Sequence, residues 1–289
     1  MGINNIAVIG AGTIGGAIAT RLIHEGVSCI LHDLKKPNKE ELASLFVYDI
    51  ADIPREYNIF LLCLPDDSSL LSVVNELKKK KETIVIDFTT TSPQSKKNAN
   101  KLLKEHNNKY IVAPLTGGVR AVRAKQASLI VSGEEKIYKM VLPILRFFSS
   151  NIIYLGEDIC SASYAKLIHN FVTLSNSMTV ITALQLSNKV GIQKEDLFEV
   201  IKKGTANSYV VENTLSRTII NNNYKEGFKL KLAYKDLVLV KELLNKLNIS
   251  SRMLEENIER FSSCIEQVDH FKEIDYPIIY NFLNEKGDR

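Results

Sequence analysis

The stretch that decides the fold is Ile6-Ala7-Val8-Ile9-Gly10-Ala11-Gly12-Thr13-Ile14-Gly15-Gly16, near the start of the 289-residue chain. Its apolar residues predict a β-strand, and the residues after them follow the pattern G-x-G-x-x-G. In such a loop Gly10 permits a tight turn, Gly12 lets the backbone approach a pyrophosphate, and Gly15 lets the next helix pack close to its strand. The N-terminus of that helix offers free N–H groups. The stretch therefore predicts a phosphate-binding turn between a strand and a helix.

A second predicted strand, Val27–His32, is followed by an acidic residue, Asp33. A carboxylate at this place can bind the hydroxyls of an adenosine ribose and would repel a 2′-phosphate, which favours NAD over NADP. Lys35 and Lys36 follow at once and could neutralise a phosphate, so NADP stays possible. The predicted cofactor contacts in this part of the chain are Gly10, Gly12, Thr13, Ile14, Gly15 and Asp33.

Short apolar runs alternate with amphipathic stretches through the first half of the chain. The predicted strands are Ile6–Ile9, Val27–His32, Ile59–Leu64, Ile84–Phe88, Tyr110–Ala113, Leu129–Ser132 and Asn151–Leu155, with helices that include Gly16–His24, Ser68–Lys80 and Pro93–His106. Continuous apolar strands alternating with helices are typical of an α/β fold, with a parallel sheet covered on both faces. We therefore expect a Rossmann-type, doubly wound domain over residues 1–160.

The pattern changes after about residue 160, where predicted strands disappear. Ser161–Val190 contains neither proline nor glycine and predicts one helix about 45 Å long. Because this helix is apolar on nearly all sides, it must be covered, and we expect a homodimer or homotetramer. Shorter helices are predicted at Lys194–Lys203, Tyr209–Ile220, Leu232–Leu247, Arg252–Gln267 and Pro277–Glu285. Residues 161–289 should form an all-α domain.

Composition excludes several classes of function. The net charge of +4 is too small to indicate nucleic-acid binding but suits a small anionic substrate. The cysteines and histidines are scattered without metal-ligand spacing, so neither a disulfide framework nor a metal site is predicted. No apolar run approaches the roughly 20 residues of a membrane span. A strand begins almost at once, which does not fit a signal peptide, and we expect a cytoplasmic protein.

Further motifs occur in a fixed order along the chain. They are Leu64-Pro65, Asp87-Phe88-Thr89-Thr90-Thr91-Ser92-Pro93, Ala113-Pro114-Leu115-Thr116-Gly117-Gly118, Lys166-Leu167-Ile168-His169-Asn170 and Lys235-Asp236-Leu237. Together with the glycine loop, the whole chain resembles the β-hydroxyacid dehydrogenases, such as 3-hydroxyisobutyrate dehydrogenase and tartronate semialdehyde reductase. The resemblance implies a C-terminal domain like that of 6-phosphogluconate dehydrogenase. It also implies hydride transfer between NAD(P) and a small 3-hydroxy acid or semialdehyde.

The resemblance also implies roles for individual residues. The implied cofactor contacts are Leu64, Pro65, Thr90, Lys235 and Ser69, the last standing where the family often has Asn. The substrate carboxylate would be held by Thr116, Gly117 and Gly118. Lys166 would be the catalytic residue and Asn170 its substrate-positioning neighbour.

The chemistry of these residue types suits the reaction. The protein must handle a proton while the cofactor handles the hydride, and a lysine whose pKa is lowered by burial can do so. Asn170 lies four residues after Lys166, so both side chains share one face of the predicted helix. His169 could line the same pocket or be a neutral histidine of its wall. A surface position is the alternative for Lys166.

The chain departs from the family pattern at several places. Val112 replaces an Asp, Thr116 a Ser, Cys160 and Ala162 glycines, and His169 an Asn. Arg120 and Arg123 follow the glycine pair, and we hypothesise that they bind a second acidic group of the substrate. Surface exposure is the alternative for both arginines. An imine reductase and a catalytically silent dinucleotide-binding protein remain alternative functions, although Lys166 argues against the first.

Overall fold

A computed structural model of the chain describes residues 5–225 and 227–287. The chain divides into two compact units, residues 1–166 and 167–289. Among the described residues, no helix combines the length and the apolar character that a membrane span requires.

The main sheet of the first unit has six strands. They are β1 (Asn5–Ile9), β2 (Ser28–His32), β3 (Phe46–Val47), β4 (Ile59–Leu62), β5 (Ile84–Asp87) and β6 (Lys109–Val112). Their order is β3-β2-β1-β4-β5-β6, and each neighbouring pair is parallel. The order reverses between β1 and β4, which is where ligands of such sheets bind, beyond the carboxyl ends of the strands.

Helices cover both faces of this sheet. They are α1 (Thr13–His24), α2 (Glu40–Ala43), α3 (Asp67–Leu77), α4 (Pro93–Glu105), α5 (Gly118–Arg123) and α6 (Glu135–Leu145). In β1, Ile6 and Val8 belong to the hydrophobic core formed with α1, α5 and α6. Ala7 and Ile9 belong to the core formed with α3 and α4. This alternation along one strand confirms the doubly wound, Rossmann-type arrangement.

The remaining strands of this unit form a separate sheet. β7 (Leu115–Thr116) pairs antiparallel with β8 (Ser128–Val131), which pairs parallel with β9 (Asn151–Tyr154). The sequence pattern had placed β8 and β9 in one parallel α/β series. In the structure two glycines with positive φ, Gly117 and Gly118, follow β7, and β8 pairs antiparallel with β7 instead of extending the main sheet. An antiparallel bridge between Val112 and Ser132 joins the two sheets.

The second unit is helical, as predicted. Its helices are α7 (Ser161–Lys189), which begins in the first unit, α8 (Lys194–Lys203), α9 (Ser216–Ile220), α10 (Leu230–Lys246), α11 (Arg252–Gln267) and α12 (Ile279–Gly287). The predicted bounds of α8 and α11 are confirmed residue for residue. The helix predicted over Tyr209–Ile220 instead contains a π-helical turn, Val211–Leu215, before α9.

One buried carboxyl group of the second unit is poorly solvated. Asp275 is 2% exposed, and its Oδ1 accepts the N–H of Phe228 at 2.8 Å. Its Oδ2 accepts no hydrogen bond within the described part of the chain. Burial raises the pKa of Asp275 to about 7, although the Phe228 N–H and the charge of Arg217 act in the opposite direction.

We expect Asp275→Asn to stabilise the protein increasingly as the pH rises. An unfolded Asp ionises near pH 4, whereas folded Asp275 ionises near pH 7. Between these values the folded protein holds a proton that the unfolded chain has lost, so the stability contributed by Asp275 falls as pH rises. Asn keeps the acceptor for Phe228 without a charge, which predicts a gain of about 2–4 kcal/mol at pH 8 and little at pH 4.5. Urea unfolding at both pH values measures it.

The matched control for this prediction is Glu266→Gln, at an exposed position of α11. That variant should shift the unfolding free energy by less than about 0.5 kcal/mol at either pH. A gain from Asp275→Asn that is equal at pH 4.5 and pH 8 would show that Asp275 does not hold its proton near neutrality.

Candidate functional site

The glycine loop after β1 has little room for side chains on one side. Gly10 has φ +100°, and a Cβ atom there would lie 2.3 Å from the carbonyl oxygen of Cys63. A Cβ atom on Gly15 would lie 1.7 Å from the carbonyl oxygen of Gly10. Both positions therefore require glycine, as the sequence predicted for the tight turn and for close packing of the helix on its strand.

The other side of the loop is open. A Cβ atom on Gly12 would meet no heavy atom within 4 Å, and Gly12 and Thr13 are exposed. Gly12 is the N-cap of α1, and no side chain caps that end of the helix within the described residues. The helix end is thus uncapped within the described residues, and the first-turn N–H groups, including that of the half-buried Ile14, form the kind of helix N-terminus that can bind an anion.

Asp33 stands at the end of β2, beside this loop. Its Oδ2 accepts the N–H of Ala11 at 2.6 Å, which fixes the carboxylate against the glycine loop. The backbone N–H of Lys35 lies 3.4 Å from Oδ1. The carboxylate is half-buried, whereas Lys35 and Lys36 are exposed. Asp33 therefore lies beside the glycine loop, as the predicted ribose contact requires.

We expect Asp33→Asn to shift the cofactor preference towards NADPH. Asn keeps an oxygen acceptor for the Ala11 N–H but removes the negative charge that repels a 2′-phosphate. The ratio of kcat/KM with NADPH to kcat/KM with NADH should rise at least about tenfold, since like charges in contact cost several kcal/mol. Glu40→Gln, at an exposed residue of α2, is the control and should leave the ratio unchanged. A ratio within twofold of wild type for Asp33→Asn would refute the role given to this carboxylate.

The loops after β4 and β5 are tied together beside the glycine loop. The N–H of Leu64 donates to Thr89 Oγ1 at 3.1 Å, and Cys63 N–H donates to Ile9 O at 2.8 Å. Pro65 is exposed, and Leu64 and Thr90 are half-buried. These predicted cofactor-contacting residues thus lie at the carboxyl edge of the main sheet.

Ser69 lies in the first turn of α3, next to these loops. Its N–H donates to Asp66 Oδ1 at 2.8 Å, so Asp66 is the N-cap of the helix. The sequence motifs predicted no role for Asp66. The pattern of an acidic residue three positions before Ser69, at the start of an amphipathic run, could have identified this cap.

The segment Thr116-Gly117-Gly118 joins β7 to α5. Both glycines are exposed with φ of +94° and +68°, and Thr116 is half-buried. Arg120 and Arg123 are exposed on the short helix, whose apolar residues are buried against the core. Arg120 and Arg123 therefore lie on the side of α5 that faces away from the core and is exposed to solvent.

A polar cluster in the second unit contains two predicted residues. Asn170, 4% exposed, donates from Nδ2 to Asp236 Oδ2 at 2.6 Å. Lys235 Nζ lies 3.1 Å from Asp236 Oδ1, and His169 Nδ1 lies 3.1 Å from Asn170 Oδ1. Because Asp236 can only accept, the amide of Asn170 must point its NH₂ group at this carboxylate and its oxygen at the histidine.

Lys166 lies one helical turn before Asn170 in α7 and is half-buried.

Three of the residues that depart from the family pattern are buried. Val112, Cys160 and Ala162 are each 0% exposed in the core that includes α3 and α4, and Cys160 Sγ donates to Pro93 O at 3.2 Å.

The described residues contain no group of three or more His, Cys, Asp or Glu side chains arranged to hold a metal ion.

Two family models match the chain in succession. The NAD binding domain of 6-phosphogluconate dehydrogenase matches residues 5–156, more than half of the chain. A model described as NAD-binding of NADP-dependent 3-hydroxyisobutyrate dehydrogenase matches residues 160–277. The chain belongs to the β-hydroxyacid dehydrogenase family. As a β-hydroxyacid dehydrogenase it is an oxidoreductase that uses NAD(P).

One relative and two solved structures are similar to this chain over most of their length. 2-(Hydroxymethyl)glutarate dehydrogenase of Eubacterium barkeri is 25% identical over 252 residues, which cover 84% of this chain and 83% of that protein. A 3-hydroxyisobutyrate dehydrogenase structure from Salmonella typhimurium has a TM-score of 0.87 at 18% identity, over 96% of this chain and 99% of that one. An imine reductase from Myxococcus stipitatus has a TM-score of 0.67 at 17% identity, over 96% and 99% of the two chains. The two alternative functions, an imine reductase and a catalytically silent dinucleotide-binding protein, are not favoured over a hydroxyacid dehydrogenase.

Proposed function

We propose that this β-hydroxyacid dehydrogenase interconverts a small 3-hydroxy acid and its semialdehyde, with Lys166 as the general acid and base. The observation that carries the proposal is the order of the two matching family models, which together span residues 5–277 with only three residues between them. The relatives that support it act, by their names, on 3-hydroxyisobutyrate and on 2-(hydroxymethyl)glutarate.

In this proposal the glycine loop holds the dinucleotide. Its pyrophosphate would lie on the open side of Gly12, against the N–H groups of the first turn of α1, and its ribose at Asp33. The remaining proposed contacts are Thr13, Ile14, Leu64, Pro65, Ser69, Thr90 and Lys235. When bound, the dinucleotide would supply the acceptor for the hydride of the alcohol carbon and, in its reduced form, the donor for the reverse reaction. We propose that NAD is preferred, because the Asp33 carboxylate beside the glycine loop would repel a 2′-phosphate.

Lys166 moves the proton that accompanies the hydride. As a free amine, it accepts the proton of the substrate hydroxyl during oxidation. As an ammonium, it donates a proton to the carbonyl oxygen during reduction. Asn170 positions the substrate oxygen that loses or gains this proton. The amide of Asn170 can do so because Asp236 and His169 hold it in one orientation.

Thr116, Gly117 and Gly118 bind the substrate carboxylate through a hydroxyl group and exposed backbone amides. Arg120 and Arg123 add positive charge next to this segment. We therefore propose that the preferred substrates carry a second acidic group, which an exposed guanidinium can bind through two parallel hydrogen bonds.

We also propose a homodimer or homotetramer. The support is the apolar surface that α7 leaves exposed, since Ile168 is 55%, Val172 51% and Leu186 65% accessible in the single chain. A helix with such a face is normally covered by another copy or another chain.

The function is tested with a matched pair of substrates. 3-Hydroxyisobutyrate and 2-(hydroxymethyl)glutarate share the hydroxymethyl group beside a carboxylate and differ in the second carboxylate. We expect NAD⁺ reduction with at least one of them, and a higher kcat/KM for the dicarboxylate. Arg120→Ala combined with Arg123→Ala should lower that preference at least about tenfold, as loss of a charge-assisted contact predicts. NADH binding without turnover of either acid or its semialdehyde would reject the proposed function.

A further inference from the structure

A charged pair lies completely inside the first unit. Lys96 of α4 and Asp87 at the end of β5 are both 0% exposed, and Lys96 Nζ lies 2.7 Å from Asp87 Oδ2. Taking two charges out of water costs several kcal/mol per ion, and apolar residues of similar size often stabilise a fold as well. The pair therefore points to a purpose other than stability.

Both charged groups hold the backbone of one residue, Thr89. Asp87 Oδ1 accepts the Thr89 N–H at 2.8 Å, and Lys96 Nζ donates to the Thr89 carbonyl oxygen at 2.8 Å. The hydroxyl of Tyr110, which is 2% exposed, donates to Asp87 Oδ2. Burial and the nearby Asp87 charge raise the pKa of Tyr110, so this hydroxyl stays a donor.

Thr89 passes this constraint to a second loop. Its Oγ1 accepts the N–H of Leu64, so the loop after β5 fixes the loop after β4. Cys63, directly before Leu64, donates its N–H to Ile9 O, and its carbonyl oxygen lies 2.3 Å from the position that a Cβ atom on Gly10 would take. The buried ion pair thus holds the loop after β5 and, through Thr89, the loop after β4, which lies against Gly10 of the glycine loop.

We propose that Lys96 and Asp87 are positioning residues that set the geometry of the dinucleotide site through Thr89. The inference rests on the proposed function, which brings Leu64, Pro65 and Thr90 against the cofactor. Neither charged side chain would touch the cofactor, because both are fully buried in the core. Loss of the pair should therefore weaken dinucleotide binding and leave the chemical step intact.

The test is the double variant Asp87→Asn/Lys96→Met. Asn keeps an acceptor for the Thr89 N–H, and Met fills the space of the lysine, so no unpaired charge is buried. The Thr89 carbonyl loses its partner. We expect the Kd for NADH to rise about tenfold, the cost of a loop displaced by a fraction of an ångström. At saturating cofactor, kcat and the KM of the hydroxy acid should stay within twofold of wild type. Titration of NADH fluorescence measures the Kd, since the chain has no Trp to interfere.

A second readout needs no cofactor. Hydrogen–deuterium exchange of the free protein should be faster than in wild type at residues 60–66 and 86–92. The matched control is Leu145→Ala, which creates a cavity at a 0% exposed position of α6 in the same unit. It should lower the stability, by about 2–5 kcal/mol, without changing the Kd or the exchange of these two segments.

A double variant whose Kd for NADH equals that of Leu145→Ala would overturn the inference. If the double variant does not fold, Thr89→Val tests the link through which the pair acts, because it keeps the ion pair but leaves Leu64 N–H without its acceptor. We expect at least about a threefold rise in Kd from lost loop geometry, and an unchanged value would also overturn the inference. A wild-type protein that does not bind NADH at all would instead reject the proposed cofactor site.

Discussion

Replacing Lys166 by Ala is expected to lower kcat by about 10²- to 10⁴-fold, the usual contribution of a positioned acid or base. Binding of NADH should stay within about threefold, because Lys166 is proposed to act on the substrate oxygen. Lys166→Arg should be almost as inactive as Lys166→Ala, since a guanidinium keeps the charge but does not release a proton near neutral pH. Steady-state kinetics with a 3-hydroxy acid and NAD⁺ measure the effect.

Lys189 provides the control, since it is an exposed lysine at the other end of α7. Lys189→Ala should leave kcat within twofold of wild type. A loss of less than about tenfold for Lys166→Ala, or 1.4 kcal/mol of barrier, would remove Lys166 from its proposed role.

Gly15 and Gly12 of the glycine loop have opposite surroundings, so we expect substitution by Ala to lower stability at Gly15 and to weaken cofactor binding at Gly12. Gly15→Ala should destabilise the fold by at least about 3 kcal/mol, because its Cβ would lie 1.7 Å from the Gly10 carbonyl oxygen and must displace backbone. Thermal unfolding should then occur roughly 6–12 °C lower than in wild type. Gly12→Ala should leave the Tm unchanged, since its Cβ meets no heavy atom within 4 Å.

Gly12→Ala should instead raise the Kd for NADH at least about tenfold, because the new methyl group lies where the pyrophosphate must approach the backbone. Differential scanning calorimetry and fluorescence titration of the two variants separate stability from binding. Equal losses of Tm for Gly12→Ala and Gly15→Ala would contradict the geometry of the loop. Unchanged NADH binding by Gly12→Ala would contradict the position of the cofactor.

The sequence predicted five of the six strands of the main sheet and the long helix because their signals are local, but it did not predict β3. Apolar runs mark the parallel strands, and the long stretch from Ser161 to Val190 contains neither proline nor glycine. The helix α6 was not predicted, since Pro143 lies within it. The separate sheet of β7, β8 and β9 depends on pairings distant in the chain, which no local pattern reveals.

The residues that support the site were harder to find. Lys96 lies in the polar run of α4, where a lysine is expected to be exposed. Its burial depends on Asp87 and Tyr110, which belong to two different strands. An acidic residue at the end of an apolar strand was the one signal available. Likewise, nothing in the K-D-L motif shows that Asp236 orients the amide of Asn170.

Transfer of the hydride itself tests the central claim most directly. The wild-type protein is incubated with the semialdehyde of 3-hydroxyisobutyrate or of 2-(hydroxymethyl)glutarate and with NADH carrying deuterium at the reactive C4 position. Mass spectrometry of the alcohol product should find one deuterium on the carbon that was the carbonyl carbon, and almost no product with Lys166→Ala. Protein that binds this NADH but forms no deuterated hydroxy acid from either semialdehyde would contradict the account.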